Sequence, residues 1–191
     1  MQWAAIIVAT IAAILAEPMT ARAAPCDLPS ADTTVHGIRL GDTDSTIRVL
    51  GRDFTTIVDN PASDFGWSIF ASRDNKQLLL LRHHAGDLQH SYLEFEVKFG
   101  RHDRHPMKLP VYEFVSGRKI RLGMKRKAVV AIFGPCFKSA RKGDTETIRY
   151  QVEDAKAASA ILKASNMPQY YAEYEFRNGV LVRFRFGHEP V

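Results

Sequence analysis

Acidic residues are missing from one long stretch: positions 114–143 hold no Asp or Glu, although the 191-residue chain carries 21 of them against 26 Lys and Arg. Cysteine is scarce, with only Cys26 and Cys136, which excludes a disulfide-dense miniprotein. Long apolar runs are also absent. The most extended one, residues 4–16, ends at Glu17 and falls short of the ~20 residues that span a bilayer. The chain has no Gly-x-Ser-x-Gly, no His-Glu-x-x-His, no Cys-x-x-Cys and no phosphate-cradling glycine loop. Those absences remove the commonest hydrolase, metalloprotease, redox and nucleotide sites. A hydrophobic fraction of 46% with 25% charged residues excludes disorder and collagen. No catalytic residue, cofactor or metal ligand is therefore assigned, and the chain is read as a non-enzyme.

The first 23 residues read as an address. The apolar run is followed by Ala21-Arg22-Ala23, an Ala-x-Ala pattern that places a signal-peptidase cut before Ala24. The expected location is the bacterial periplasm or the exterior. Both cysteines remain after the cut, in a compartment where disulfides persist, so Cys26 and Cys136 are expected to pair. Residues 22–25, Arg-Ala-Ala-Pro, are not a lipid-attachment sequence. The mature chain keeps one tryptophan, Trp67.

Two segments of the remainder look alike. Gly37-Ile38-Arg39-Leu40-Gly41 leads through Asp42-Thr43-Asp44-Ser45 to Ile47, Val49, Leu50 and Gly51. Lys119-Ile120-Arg121-Leu122-Gly123 leads in the same way to Val129, Ile132, Phe133 and Gly134-Pro135. Helical spacing of the apolar residues and a closing glycine predict a short helix in each copy. Alternating segments after each helix predict strands at 54–58, 67–71, 77–82 and 92–99, then at 145–152, 170–176 and 180–186. Residues 153–165 read as a further helix. A three-residue loop, 177–179, is expected to close the last hairpin, with Glu173 opposite Arg183 and with Val180 and Val182 on the core side. The fold class expected is α+β: a first helix-plus-sheet repeat over 24–110 and a second over 111–191. Each would be a short helical segment packed on its own antiparallel sheet, leaving the other sheet face wet.

The glycine-bounded segment from Gly123-Met124 to Gly134-Pro135, followed by antiparallel strands, resembles the BamE (SmpA/OmlA) group of small bacterial envelope proteins. Two such units in tandem resemble the architecture of the secreted β-lactamase inhibitory proteins. That resemblance implies a non-enzymatic, protein-binding scaffold of the cell envelope.

Two candidate surfaces carry chemistry suited to binding. The acid-free stretch holds Arg118, Lys119, Arg121, Lys125, Arg126 and Lys127, followed by Lys138, Arg141 and Lys142. Cations at 125–127 sit in the first turn of a predicted helix, where they oppose the helix dipole, so an anionic partner is expected there: lipid headgroups, lipopolysaccharide phosphate or an acidic protein. The export signal argues against nucleic acid. The second surface is the wet sheet face, where Arg149, Tyr171, Arg183 and Arg185 would meet; Tyr and Arg are favoured interface anchors. Tyr92 and Lys98 would be its counterpart in the first repeat. The alternatives are inhibition of a secreted enzyme, or a small metal-dependent enzyme built on His83, His84, His90, His102 and His105 with Asp87 or Asp103. The sequence names neither the partner nor the oligomeric state.

Overall fold

The two look-alike segments form helices, each ended as its residues dictate. The computed structural model describes residues 31–59, 66–83, 90–153 and 160–188. The expected signal peptide, Cys26, His84, Asp87 and the start of the expected third helix lie outside these residues. α1 (Thr43–Leu50) is N-capped by Asp42, whose carboxylate accepts from the Ser45 amide at 3.0 Å, one of the otherwise orphaned first-turn donors. α2 (Arg126–Phe133) begins at Lys125, which has no side-chain cap. Gly51 and Gly134 close the two helices at φ 86° and 83°, donating to Ile47 O and Val130 O. α3 (Ala160–Ser165) is stopped by Asn166, at φ 53°, and Pro168.

Strands dominate. β1 (Thr34–Val35) and β2 (Ile38–Arg39) make a small hairpin. The rest form one nine-stranded sheet: β3 (Ile57–Asp59), β4 (Trp67–Ala71), β5 (Gln77–His83), β6 (Tyr92–Phe99), β7 (Met107–Lys108), β8 (Lys138–Lys142), β9 (Thr145–Glu153), β10 (Gln169–Arg177) and β11 (Val180–Gly187). Their order is β3-β4-β5-β6-β11-β10-β9-β8, antiparallel throughout, with β7 added parallel to the end of β4. β6 and β11 meet at the centre, with Phe95 opposite Phe186 and Val97 opposite Phe184.

That seam overturns the expected fold class. The chain is mostly β, and it is not two helix-on-sheet units. The reason is the open edge that each meander leaves at its last strand. An unpaired edge exposes a row of amide and carbonyl groups, and pairing β6 with β11 satisfies both edges at once. The pairing also packs Phe95 against Phe186, ring centroids 5.7 Å apart. One core lies on one side of the joined sheet and draws on both halves: Phe70, Leu79, Leu81, Phe95 and Val97 with Ile148, Tyr150, Tyr174, Phe184 and Phe186. α2 supplies Val129 and Phe133, the latter 5.5 Å from the Tyr150 ring and 5.3 Å from Tyr174. Such pairs are worth about 0.5–1.5 kcal/mol beyond their buried area.

The last hairpin differs from its expected form. Arg177 pairs with Val180 around a two-residue turn, Asn178-Gly179, both at positive φ (51° and 74°). Asn-Gly tolerates that backbone, and the resulting twist matches the strands. The irregularity sits one step later: Phe176 opposes Leu181, but Glu175 opposes Arg183. Leu181 is thereby fully buried in the core, Val180 and Val182 are only partly buried, and Glu173 pairs with Arg185 instead of Arg183. A similar shift between Arg82 and His83 puts Tyr92 into the core instead of on the outer face.

Candidate functional site

Period-two alternation places one set of side chains on the sheet face opposite the core. Cross-strand register then assembles them into rows. One row runs Ile57, Ile69, Leu80, Glu96, Arg185, Glu173, Arg149 and Lys138 from β3 to β8. A second carries Trp67, Arg82, Glu94, Gly187, Tyr171 and Gln151. A third carries Ala71, Leu78, Lys98, Arg183, Glu175 and Thr147. This face is not uniformly wet, as was expected: its β3–β5 end is a second apolar cluster of Ile69, Ala71, Leu78 and Leu80, with Ile57 and Trp67 beside it. The Leu78–Leu81 run is apolar on both sides because both sides are buried.

Charges interlock across the seam. Arg185 reaches Glu173 at 3.0 Å and Glu94 at 3.8 Å. Arg183 reaches Glu173 at 3.2 Å, Glu175 at 3.2 Å and Glu96 at 3.5 Å. Arg149 lies 3.5 Å from Glu173, Arg82 is 3.0 Å from Glu94, and Lys98 is 2.9 Å from Glu96. Tyr171 lies under two guanidinium groups, Arg149 at 4.4 Å and Arg185 at 5.5 Å from its ring centroid. Burial, then the charge and hydrogen bond of Glu94, push the Tyr171 hydroxyl well above its ordinary range, so it stays a neutral donor. Burial alone would lower Arg185, but the Glu173 hydrogen bonds, the Tyr171 and Glu173 charges and then Glu94 outweigh it and raise it.

The network is layered. Side chains of Glu94, Glu96 and Glu173 are 2%, 9% and 11% exposed, whereas those of Arg149, Arg183 and Arg185 are 25%, 30% and 30% exposed. These three carboxylates lie at the bottom and the cations at the rim, with Glu175, 24% exposed, level with Arg149. Each guanidinium is held by two or more partners, so little rotamer entropy remains to be lost on contact with another molecule.

The four residues expected on this face, Arg149, Tyr171, Arg183 and Arg185, do come together. Arg82, Glu94, Glu96 and Lys98 join them across the seam, and no local pattern announced that pairing. Trp67 adds its ring 5.8 Å from the Arg82 guanidinium.

The basic stretch lies elsewhere. α2 packs on the core side, and its start adjoins the β10–β11 turn through Arg126 N to Gly179 O at 3.1 Å. Arg118, Lys119, Arg121, Lys125 and Lys127 are exposed. Arg126 is engaged: it bonds Glu146 at 2.8 Å and lies 5.2 Å from the Phe137 ring centroid. Arg141 also reaches Glu146, at 3.2 Å, and these two arginines hold the carboxyl below its ordinary range against the opposing effect of burial. Part of the cationic charge at this helix start is therefore compensated within the fold.

The histidines disperse. His83 packs on Tyr92 and bonds the Ser68 hydroxyl at 2.8 Å. His90 lies against Phe54, and His102 lies 3.8 Å from Asp59. His105 and Asp103 are exposed. Among the described residues no group of three or more His, Cys, Asp or Glu side chains is arranged to hold a metal ion. No described cysteine is free, and the expected partner of Cys136 lies outside the described residues. No helix among the described residues is long and apolar enough to cross a membrane.

No known protein family, curated protein or solved structure matches this chain.

Proposed function

We propose that the protein is an exported binding module that grips an acidic protein surface with the charged face of its sheet. The single observation that carries this reading is the layered network, in which guanidinium groups at the rim are anchored by buried carboxylates and by Tyr171. Pre-ordered arginines at the rim, backed by the buried Tyr171 ring, are among the side chains that dominate interface energetics. The export signal read in the first 23 residues is the support for a partner in the periplasm or outside the cell.

The test is photo-crosslinking of the mature chain in periplasm, with the reactive residue placed at Lys98 or at Thr147 of the same row, and at exposed Tyr112 as control. A partner joined from the first two positions and not from Tyr112 is expected. The double substitution Arg183→Ala with Glu175→Ala removes a rim cation while keeping charges matched beneath it. It should abolish the crosslink from Lys98 with little change in thermal stability. Equal crosslinking from all three positions, or survival of the Lys98 crosslink in the double variant, overturns the proposal.

A second reading places an anionic envelope surface on the start of α2. It is favoured by Lys119, Arg121, Lys125 and Lys127, which are exposed and in no ion pair among the described residues. Reversal of Lys125, Arg126 and Lys127 to Glu should then abolish binding to anionic liposomes. Unchanged binding removes this reading.

A further inference from the structure

β8 ends the sheet and, among the described residues, no strand adjoins its outer side. All five residues, Lys138-Ser139-Ala140-Arg141-Lys142, are exposed. Its register with β9 is regular, Lys138 opposite Arg149 through Lys142 opposite Thr145, with no bulge. A two-residue turn joins the strands, so Lys142 and Thr145 form a hydrogen-bonded pair, as do Ala140 with Thr147 and Lys138 with Arg149. Ser139 and Arg141 occupy the alternate positions and direct their amides and carbonyls outward.

Natural sheet edges are blunted by shortness, proline, bulges, covering segments or charge. The opposite edge is short: β3 has three residues and shares its side of β4 with β7. β8 uses charge alone, and that charge is of one sign, at Lys138, Arg141 and Lys142. Such an edge discriminates. A second copy of β8 pairing antiparallel would set Lys138 against Lys142 at both ends, which is repulsive. A strand carrying Glu or Asp at every second position would instead place its carboxylates beside those two lysines.

From this edge we infer that the protein takes up an extended acidic peptide segment as an added antiparallel strand on β8. The backbone contributes through Ser139 and Arg141, and the lysines select for acid. This surface is the free edge of the same sheet: Lys138 also ends the first row of the face described above, whereas Ser139, Arg141 and Lys142 take no part in the ion-pair network there.

The experiment is fluorescence anisotropy with the mature full-length chain and a labelled Glu-Val-Glu-Val-Glu peptide, with Lys-Val-Lys-Val-Lys as the comparison. The acidic peptide should bind and the basic one should not. The double variant Lys138→Glu with Lys142→Glu should invert that preference. Ser139→Pro removes one outward amide without breaking the β8–β9 ladder, and should weaken binding about tenfold while Ser139→Ala does not. Should the proline variant fail to fold, N-methylation of the peptide provides the same test. Methyl groups on alternate amides facing β8 should abolish binding, and those on the other amides should be tolerated. Arg183→Ala with Glu175→Ala should leave peptide affinity unchanged, so that failure here and failure of the sheet-face reading are distinguishable. Equal affinity for both peptides, indifference to the methylation register, or binding to anionic vesicles with none to the peptide overturns the inference.

Discussion

Asp32 is 1% exposed, and its Oδ2 has no hydrogen-bond partner among the described residues. Its Oδ1 accepts from the Arg118 amide at 3.0 Å, tying the segment before β1 to the turn at 116–118, and its carbonyl accepts from the Tyr170 hydroxyl of β10 at 2.7 Å. Burial pushes the carboxyl up to about 6 against the lowering effects of Ser116 and Arg118. A carboxyl raised above its unfolded value adds stability below pH ~4 and loses it as the pH rises through about 6. Asp32→Asn keeps the acceptor and removes the charge. The stability of the variant relative to wild type should therefore climb between pH 4 and pH 7, as read by urea unfolding at several pH values; a constant difference would refute the assignment. Gly187 is a second sensitive residue. A Cβ there would lie 2.2 Å from Leu93 O and 2.6 Å from Glu94 Cα, inside the seam. Gly187→Ala should cost about 2–3 kcal/mol, measured by the same unfolding assay.

At the scale of elements, the two helices make a controlled comparison. α1 has Asp42 as cap and Asp44 in its first turn, whereas α2 has neither a cap nor an acid. Lys125→Asp supplies both a side-chain cap and the favourable charge, and should stabilise the protein by about 1 kcal/mol. If the start of α2 serves an anionic surface, the same substitution weakens liposome binding, so thermal denaturation and flotation together separate the two roles. Both helices, their glycine ends and most strands were legible because they depend on spacing and on neighbours close in sequence. The edge strand β8 was not legible: Lys-Ser-Ala-Arg-Lys has no apolar alternation, and it becomes a strand because β9 offers it a ladder. The hairpin turn misled for a related reason. Simple alternation excluded a two-residue loop, but the irregularity beyond Leu181 restores the faces.

At the scale of the molecule, the β6–β11 seam makes the halves share one core. Unfolding should be a single transition. Trp67 in β4 reports on one side of the seam, and Phe184 lies in β11, the seam strand from the other half. Phe184→Ala should cost about 3–5 kcal/mol and move the Trp67 fluorescence transition in step with the far-ultraviolet circular dichroism. Two separated transitions would show that the halves fold independently. Thiol titration of the unreduced mature chain in denaturant should find no free sulfhydryl, and two after reduction; two at the outset would exclude the expected Cys26–Cys136 bridge.

Spacing along the chain was enough to place the helices, the alternating strands and the four cationic and aromatic residues of the outer face, because period and polarity are local properties. Tertiary structure alone decided that β6 meets β11, and so that Arg82, Glu94, Glu96 and Lys98 complete the network. Strand pairing over such separations is selected by which edges remain unsatisfied once every local element has formed, and no single stretch of sequence carries that information.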